Sequence, residues 1–270
     1  MHKTNLILYY WRKEEKVFSR HLMQLRQKLN KDAIHDLRVA IKKLRAYLEL
    51  FLLLQKETEP IPGEAETYFH KTESLFDIIG RQRDVDICLE LIDALKKETG
   101  LTCPRLTIYL QAVLKITKAW SNEEIHLYTK KELSKIGFLI KQEQAVKDAP
   151  ALNLRIISAI DKLLEKLAGH SRQPHQLRKT LKSVYYEISL LVNKEKYQPE
   201  LLHSILDDLG SWQDHEVLLA RLRHFRKDYM PKSFDEHAVL KEMEAITNEK
   251  KKSLVQSARN KIKRWLKVIL

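Results

Sequence analysis

Apolar residues recur at intervals of three and four along almost the whole chain. Nowhere do they alternate with polar residues over enough length to mark a strand. The spacing predicts about ten helical segments, over residues 4–29, 32–56, 63–79, 84–99, 104–145 (interrupted near Ser121 or Gly137), 151–168, 173–194, 199–209, 214–229 and 233–267. Asp32, Asp84, Ser121, Asp214 and Ser233 are the expected N-caps. Gly80, Gly100, Gly169 and Gly210 are expected just past helix ends, where a left-handed residue without Cβ is unstrained. Pro104, Pro199 and Pro231 stand where a first helical turn tolerates proline. The fold class is therefore all-α.

One segment departs from the usual surface helix. In IHDLRVAIKKLRAYLELF, residues 34–51, the side chains of Leu37, Ile41, Leu44, Leu48 and Phe51 fall within an arc of about 80° and form a core stripe. His35, Arg38, Lys42 and Arg45 occupy a second arc of about 80° directly beside it. A solvated face would mix signs; this edge carries one.

The pattern returns. HDLRVAIKKLR at 35–45 reappears as HQLRKTLKSVY at 175–185, an offset of 140, and IIGRQRDVDICLEL at 78–91 reappears as DLGSWQDHEVLLAR at 208–221, an offset of 130. The change in offset falls in ETEPIPGEAE, a loop-like stretch where length varies freely. Leu177, Leu181, Val184, Ile188 and Leu191 repeat the core stripe, and His175, Arg178 and Lys182 repeat the basic arc beside it. Any two helices share a core stripe; a shared His-x-x-Arg-x-x-x-Lys in the same rotational relation to it is far more specific. The chain reads as two homologous halves, 1–148 and 149–270.

Composition narrows the partner. With 49 Lys and Arg against 36 Asp and Glu, the net charge of +13 over 270 residues points to a polyanion: nucleic acid, an anionic membrane or another phosphate polymer. The two cysteines, Cys88 and Cys103, form neither a CxxC pair nor a disulfide framework, so a reducing cytoplasm is expected. LILYYW near the start lacks a following cleavage site, and LFLLL is far too short to cross a bilayer.

His35-x-x-Arg38-x-x-x-Lys42-Lys43-x-Arg45 with Leu48 and Phe51, followed by Gly80-x-x-Arg83-Asp84, resembles the CHAD domain, the conserved histidine α-helical domain. The likeness covers nearly the whole chain, since members of that family also contain two such halves. It implies two helical bundles related by pseudo-twofold symmetry around a basic cavity, binding of inorganic polyphosphate and association with polyphosphate granules. The second half departs from the pattern: Ser183 and Tyr185 stand where basic residues are common, and Ser211 and Gln213 replace the counterparts of Arg81 and Arg83.

Linear polyphosphate offers repeated charge and only acceptor oxygens, and cations at one-turn spacing suit it. Arginine donates two bonds to neighbouring oxygens, whereas lysine acts as a mobile point charge. The expected polyphosphate-binding residues are His35, Arg38, Lys42, Arg45, Arg81, Arg83, His175, Arg178 and Lys182. For His35 and His175 two readings stand: donation to phosphate, or a neutral histidine bonded near a cap or seam. For Arg81 and Arg83 the choice lies between holding phosphate at a helix N-terminus and pairing with the capping aspartates. The basic stretch 248–264 spreads its charge around its helix and reads as a solvated face.

No catalytic residue, cofactor or metal is expected. His35-Asp36 resembles a metal-phosphohydrolase element, but Gln176 replaces the aspartate in the second copy, and no ligand cluster accompanies it. P-loop, GxSxG and HExxH motifs are missing. The alternatives are a metal-dependent phosphohydrolase and a general nucleic-acid-binding protein. The scattered tryptophans argue against a base-stacking platform, so nucleic acid is expected to bind only non-specifically.

Overall fold

The structure, a computed structural model, describes residues 6–55, 64–142, 154, 157–158, 173–191 and 194–269. Among these it contains eight α-helices and no strand: α1 (Leu6–Gln27), α2 (Lys31–Gln55), α3 (Glu64–Thr99), α4 (Pro104–Leu127), α5 (Lys131–Gln142), α6 (Pro174–Ile188), α7 (Pro199–Asp228) and α8 (Glu236–Ile269). A short 3₁₀ turn, Lys194–Tyr197, precedes α7. No helix among the described residues is long and apolar enough to cross a membrane. Of the expected helix over 151–168 only residues 154, 157 and 158 are described, each helical, and the cap at Gly169 lies outside the described residues.

Two expected breaks are absent, and both bear on the site. Gly80 does not end a helix, because α3 runs through it from Glu64 to Thr99; Gly210 likewise lies inside α7. Asp84 and Asp214 are consequently helix-interior residues and cap nothing. A single glycine costs a helix only about 1 kcal/mol, which the buried positions flanking each glycine, Leu75, Ile79 and Val85 in α3 and Ile205, Leu209 and Trp212 in α7, readily offset. Ser121 is also interior and buried; the break in the 104–145 segment falls instead at residues 128–130. Asn30, rather than Asp32, caps α2, its Oδ1 accepting from the Ala33 amide at 2.7 Å. The cap expected at Ser233 is absent, since α8 begins at Glu236, and Pro231 sits in the turn before it. Gly100 does close α3 with φ +76°, its amide bonding to the Lys96 carbonyl at 2.9 Å. Pro104 and Pro199 open α4 and α7.

Packing divides the chain into two compact units that cut across the sequence halves. Unit 1 comprises Met1–Gly80, Lys118–His170 and Lys182–Tyr197; unit 2 comprises Arg81–Thr117, Ser171–Leu181 and Gln198–Leu270. In unit 1, α1 and α2 form an antiparallel hairpin across the turn at 28–30. Their facing stripes include Trp11, Phe18 and Leu22 of α1 and Ile34, Leu37, Ile41, Leu44 and Phe51 of α2, all buried. The buried Glu14 carboxylate is held at 2.9 Å by Lys43, the one lysine of the motif outside the basic arc. In unit 2, Val85, Cys88 and Ile92 of α3 join Leu218, Leu222 and Phe225 of α7 and Leu240 and Met243 of α8 in one core. Cys88 and Cys103 are both free and both in that core, where burial pushes the Cys88 thiol up to about 12. They pack as small apolar groups.

Candidate functional site

The basic edge of α2 is built against an aromatic ring that the repeat pattern does not single out. Phe76 lies on α3 one turn before Gly80. The Arg38 guanidinium lies over its ring, 4.0 Å from the centroid, with Arg45 at 5.1 Å and Lys42 at 5.5 Å. The ring's negative face attracts each cation by about 0.5–2 kcal/mol and offsets part of their mutual repulsion. Arg38 also donates from Nη1 to the Phe76 main-chain carbonyl at 2.6 Å. Arg45 is steadied by Glu73, one turn earlier on α3, at 3.3 Å. All three cations are half-buried, whereas His35 at the start of the edge is exposed.

Gly80 explains how Arg38 gets there. A Cβ at position 80 would stand 2.3 Å from Arg38 Nη1 and 3.1 Å from its Cζ. The glycine is a notch in the side of a continuous helix, and the guanidinium fills it. The second copy repeats this loosely: a Cβ at Gly210 would lie 3.9 Å from Arg178 Nη2, an ordinary contact. Leu206 stands where Phe76 does in the first copy.

In unit 2, Arg178 and Arg83 are half-buried and both act on the Asp214 carboxylate. Burial raises the pKa of Asp214, and the two arginines pull it back down. Asp214 sits inside α7 in the field of both guanidinium groups rather than capping a helix. Arg83 also lies 3.9 Å from Glu90. Arg81 and Arg83 are mid-helix, so the free N–H groups of a helix start are not beside them, and Arg81 is exposed. His175, the second residue of α6, is exposed, with Nδ1 3.1 Å from Gln213 Oε1; a proton on Nδ1 makes it the donor. Thus Gln213, which replaces Arg83 in the repeat, orients the second histidine. Lys182, one turn beyond Arg178 on α6, belongs to unit 1.

Of the nine predicted site residues, the structure gathers Arg38, Lys42 and Arg45 on one ring in unit 1, while in unit 2 Arg83 and Arg178 both act electrostatically on Asp214. Phe76, Glu73 and Asp214 were missed. The available signal was spacing on α3: Glu73, Phe76, Gly80 and Arg83 share one helical face. Asp36 of the His35-Asp36 pair lies 3.9 Å from His21. Among the described residues no group of three or more His, Cys, Asp or Glu side chains could hold a metal ion.

A buried carboxylate adjoins this part of unit 1. Glu187 of α6 accepts from Ser183 Oγ at 2.9 Å through one oxygen, while the other, buried, has no hydrogen-bond partner among the described residues. Burial raises its pKa, and Glu49 raises it further. A raised folded-state pKa favours the protonated acid, so its stabilising contribution is complete below the ordinary carboxylate range and lost as pH rises through the folded value. Glu187→Gln is therefore expected to raise Tm at pH 7 by about 2–4 °C, with the gain shrinking as pH falls towards 4. Thermal melts of both proteins across that range check it.

Comparison with known proteins bears on the fold and the family. A crystal structure of the CHAD domain from the plant Ricinus communis superposes with a TM-score of 0.71 at 13% identity, covering 95% of this chain and 90% of that one. PptA from Streptomyces chartreusis superposes with a TM-score of 0.68 at 16% identity, covering 97% of this chain and 98% of that one. Among curated protein sequences none matches. At such identities the superpositions establish a shared fold. The CHAD domain family model, however, matches residues 11–223, a stretch that includes both basic motifs, Gly80, Gly210 and Phe76. The chain belongs to the CHAD domain family.

Proposed function

We propose that this chain binds inorganic polyphosphate through its Arg, Lys and His edges and does not turn it over. The observation that carries the reading is the convergence of Arg38, Lys42 and Arg45 on the face of Phe76. Three cations held this closely repel one another, and an anion with many acceptor oxygens relieves that repulsion while accepting from each. The half-buried setting strengthens such charge-assisted bonds relative to open water. Family membership supports the same ligand class.

Arg83, Arg178 and His175 in unit 2, with the exposed Arg81, form a further set of donors for the same polymer. Lys182 adds to the set in unit 1. A polymer engaging both sets gains from high effective concentration at the second, so long chains are held more tightly than short ones. Inside the cell this binding places the protein at cytoplasmic polyphosphate granules.

The test is a titration of long-chain polyphosphate at two salt concentrations, with RNA as competitor and size analysis of the recovered polymer. Binding through Arg38, Lys42 and Arg45 alone gives a log–log salt slope of about −2, and engagement of both sets makes it steeper. Tight binding, resistant to RNA and leaving the polymer intact, is the expected result. Equal displacement by RNA, or shortening of the polymer when divalent ions are added, sinks the proposal.

A further inference from the structure

The basic C-terminal helix sorts its charges in a way the sequence conceals. On α8 the packed face carries Leu240, Met243, Thr247, Ala258, Ile262 and Trp265, all buried. Lys250, Lys251 and Lys261 fall on or beside that face. Each is taken up by a carboxylate of the same unit: Lys250 by Glu98 of α3, Lys251 by Glu216 of α7 at 2.6 Å, and Lys261 by Asp208 of α7 at 2.7 Å. Of the cations that remain from Lys252 onward, Arg264 is exposed about 60° to one side, and the other four share one face. Lys252, Arg259, Lys263 and Lys267 lie within an arc of about 80° directly opposite the packed face, and all four are exposed. Gln256, exposed on the same arc, fills the gap between Lys252 and Arg259. One acid, Glu249, stands at the N-terminal edge of the arc and bonds Lys252 at 2.7 Å. From Arg259 to Lys267 the arc is purely cationic over about 12 Å.

Attraction to the helix dipole accounts for cations in the last turn only; Arg259 and Lys263 lie further in. Solubility does not require a one-signed stripe either. We propose that this outer face of α8 is a second, exterior contact for polyphosphate, along which an extended segment of a long chain lies. The inference rests on the polyphosphate reading above. It assigns the new face to chain length: a short oligomer occupies the α2 edge alone, and a long polymer also reaches α8.

The experiment compares the full chain with an Arg259→Gln/Lys263→Gln/Lys267→Gln variant, using long-chain polyphosphate, tripolyphosphate and a single-stranded RNA over a range of salt concentrations. Loss of three phosphate contacts is expected to flatten the log–log salt slope for long polyphosphate by about 2. Long-chain affinity is expected to fall by about tenfold or more at moderate salt, with tripolyphosphate binding unchanged. An unchanged slope for long polyphosphate overturns the proposal while leaving the α2 site standing. Weakened RNA binding with long-polyphosphate binding intact also overturns it, assigning the face to nucleic acid. If the unaltered chain binds no polyphosphate at all, the functional reading fails first and this one with it. The substituted side chains are exposed, so equal Tm values are expected and confirm that the variant is folded.

Discussion

An Arg38→Ala/Arg178→Ala variant is expected to bind polyphosphate about 10²–10⁴-fold more weakly than the unaltered protein, with its far-UV circular dichroism unchanged. The size follows from about 1.5–3 kcal/mol for each charge-assisted hydrogen-bonding group removed, summed over two arginines. Helicity survives because α2 and α6 are anchored by their buried apolar stripes rather than by these guanidinium groups. The Phe76 carbonyl that accepts from Arg38 also accepts the helical bond from the Gly80 amide. In the double variant Asp214 loses one of two arginines and keeps Arg83. Arg38→Ala alone is expected to have the larger share, since Arg38 orders a ring shared with Lys42 and Arg45. In the repeat, Leu206 and Tyr185 replace Phe76 and Arg45, so the three-cation arrangement on a phenylalanine is not carried over by the sequence. Arg38→Lys keeps the charge without the planar fork and is expected to recover part of the loss. Isothermal titration at fixed salt, paired with circular dichroism, decides the matter. Affinity equal to that of the unaltered protein would mean that phosphate is held elsewhere.

What could be read from the sequence depended on whether the information was local. The all-α class and the stripe Leu37–Ile41–Leu44–Leu48–Phe51 are periodicities within single helices, and all five side chains are buried. The basic arc beside that stripe is local in the same sense. Gly80 and Gly210 were misread because a glycine that ends a helix and one that makes room for a side chain are identical within their own segment. For Gly80 the distinction lies in Arg38, on another helix. The same holds for Asp84 and Asp214: before a helix an aspartate caps, but inside one it must answer to cations brought by tertiary packing, here Arg83 and Arg178 for Asp214. Phe76 resembled any core aromatic until α2 was laid across it. The charge on α8 looked diffuse because its sorting depends on Glu98, Glu216 and Asp208, which arrive from α3 and α7.

The two glycines occupy matching places in the repeat, yet the structure assigns them opposite responses to a single added methyl group. Gly80→Ala puts a Cβ well inside contact distance of Arg38 Nη1, closer than non-bonded Cβ atoms approach a neighbour. The atom that must yield is the tip of a flexible side chain, so the fold adapts: Arg38 leaves the notch, abandoning the Phe76 carbonyl and the ring. Alanine's higher helix propensity, worth about 1 kcal/mol in a helix interior, compensates for those contacts. Tm is therefore expected to change little, while polyphosphate affinity falls about tenfold or more, towards that of Arg38→Ala. Gly210→Ala meets Arg178 only at 3.9 Å. Nothing has to move, so this variant is expected to gain up to about 1 kcal/mol of stability and to bind as before. Melting curves and titrations on both variants separate the cases. A Gly80→Ala, Arg38→Ala combination adds a further constraint: if the glycine acts only by admitting the guanidinium, the two losses do not add. Full affinity in Gly80→Ala would show that phosphate does not read Arg38 in the position the notch gives it, and the α2 edge would then have to bind with its principal arginine displaced.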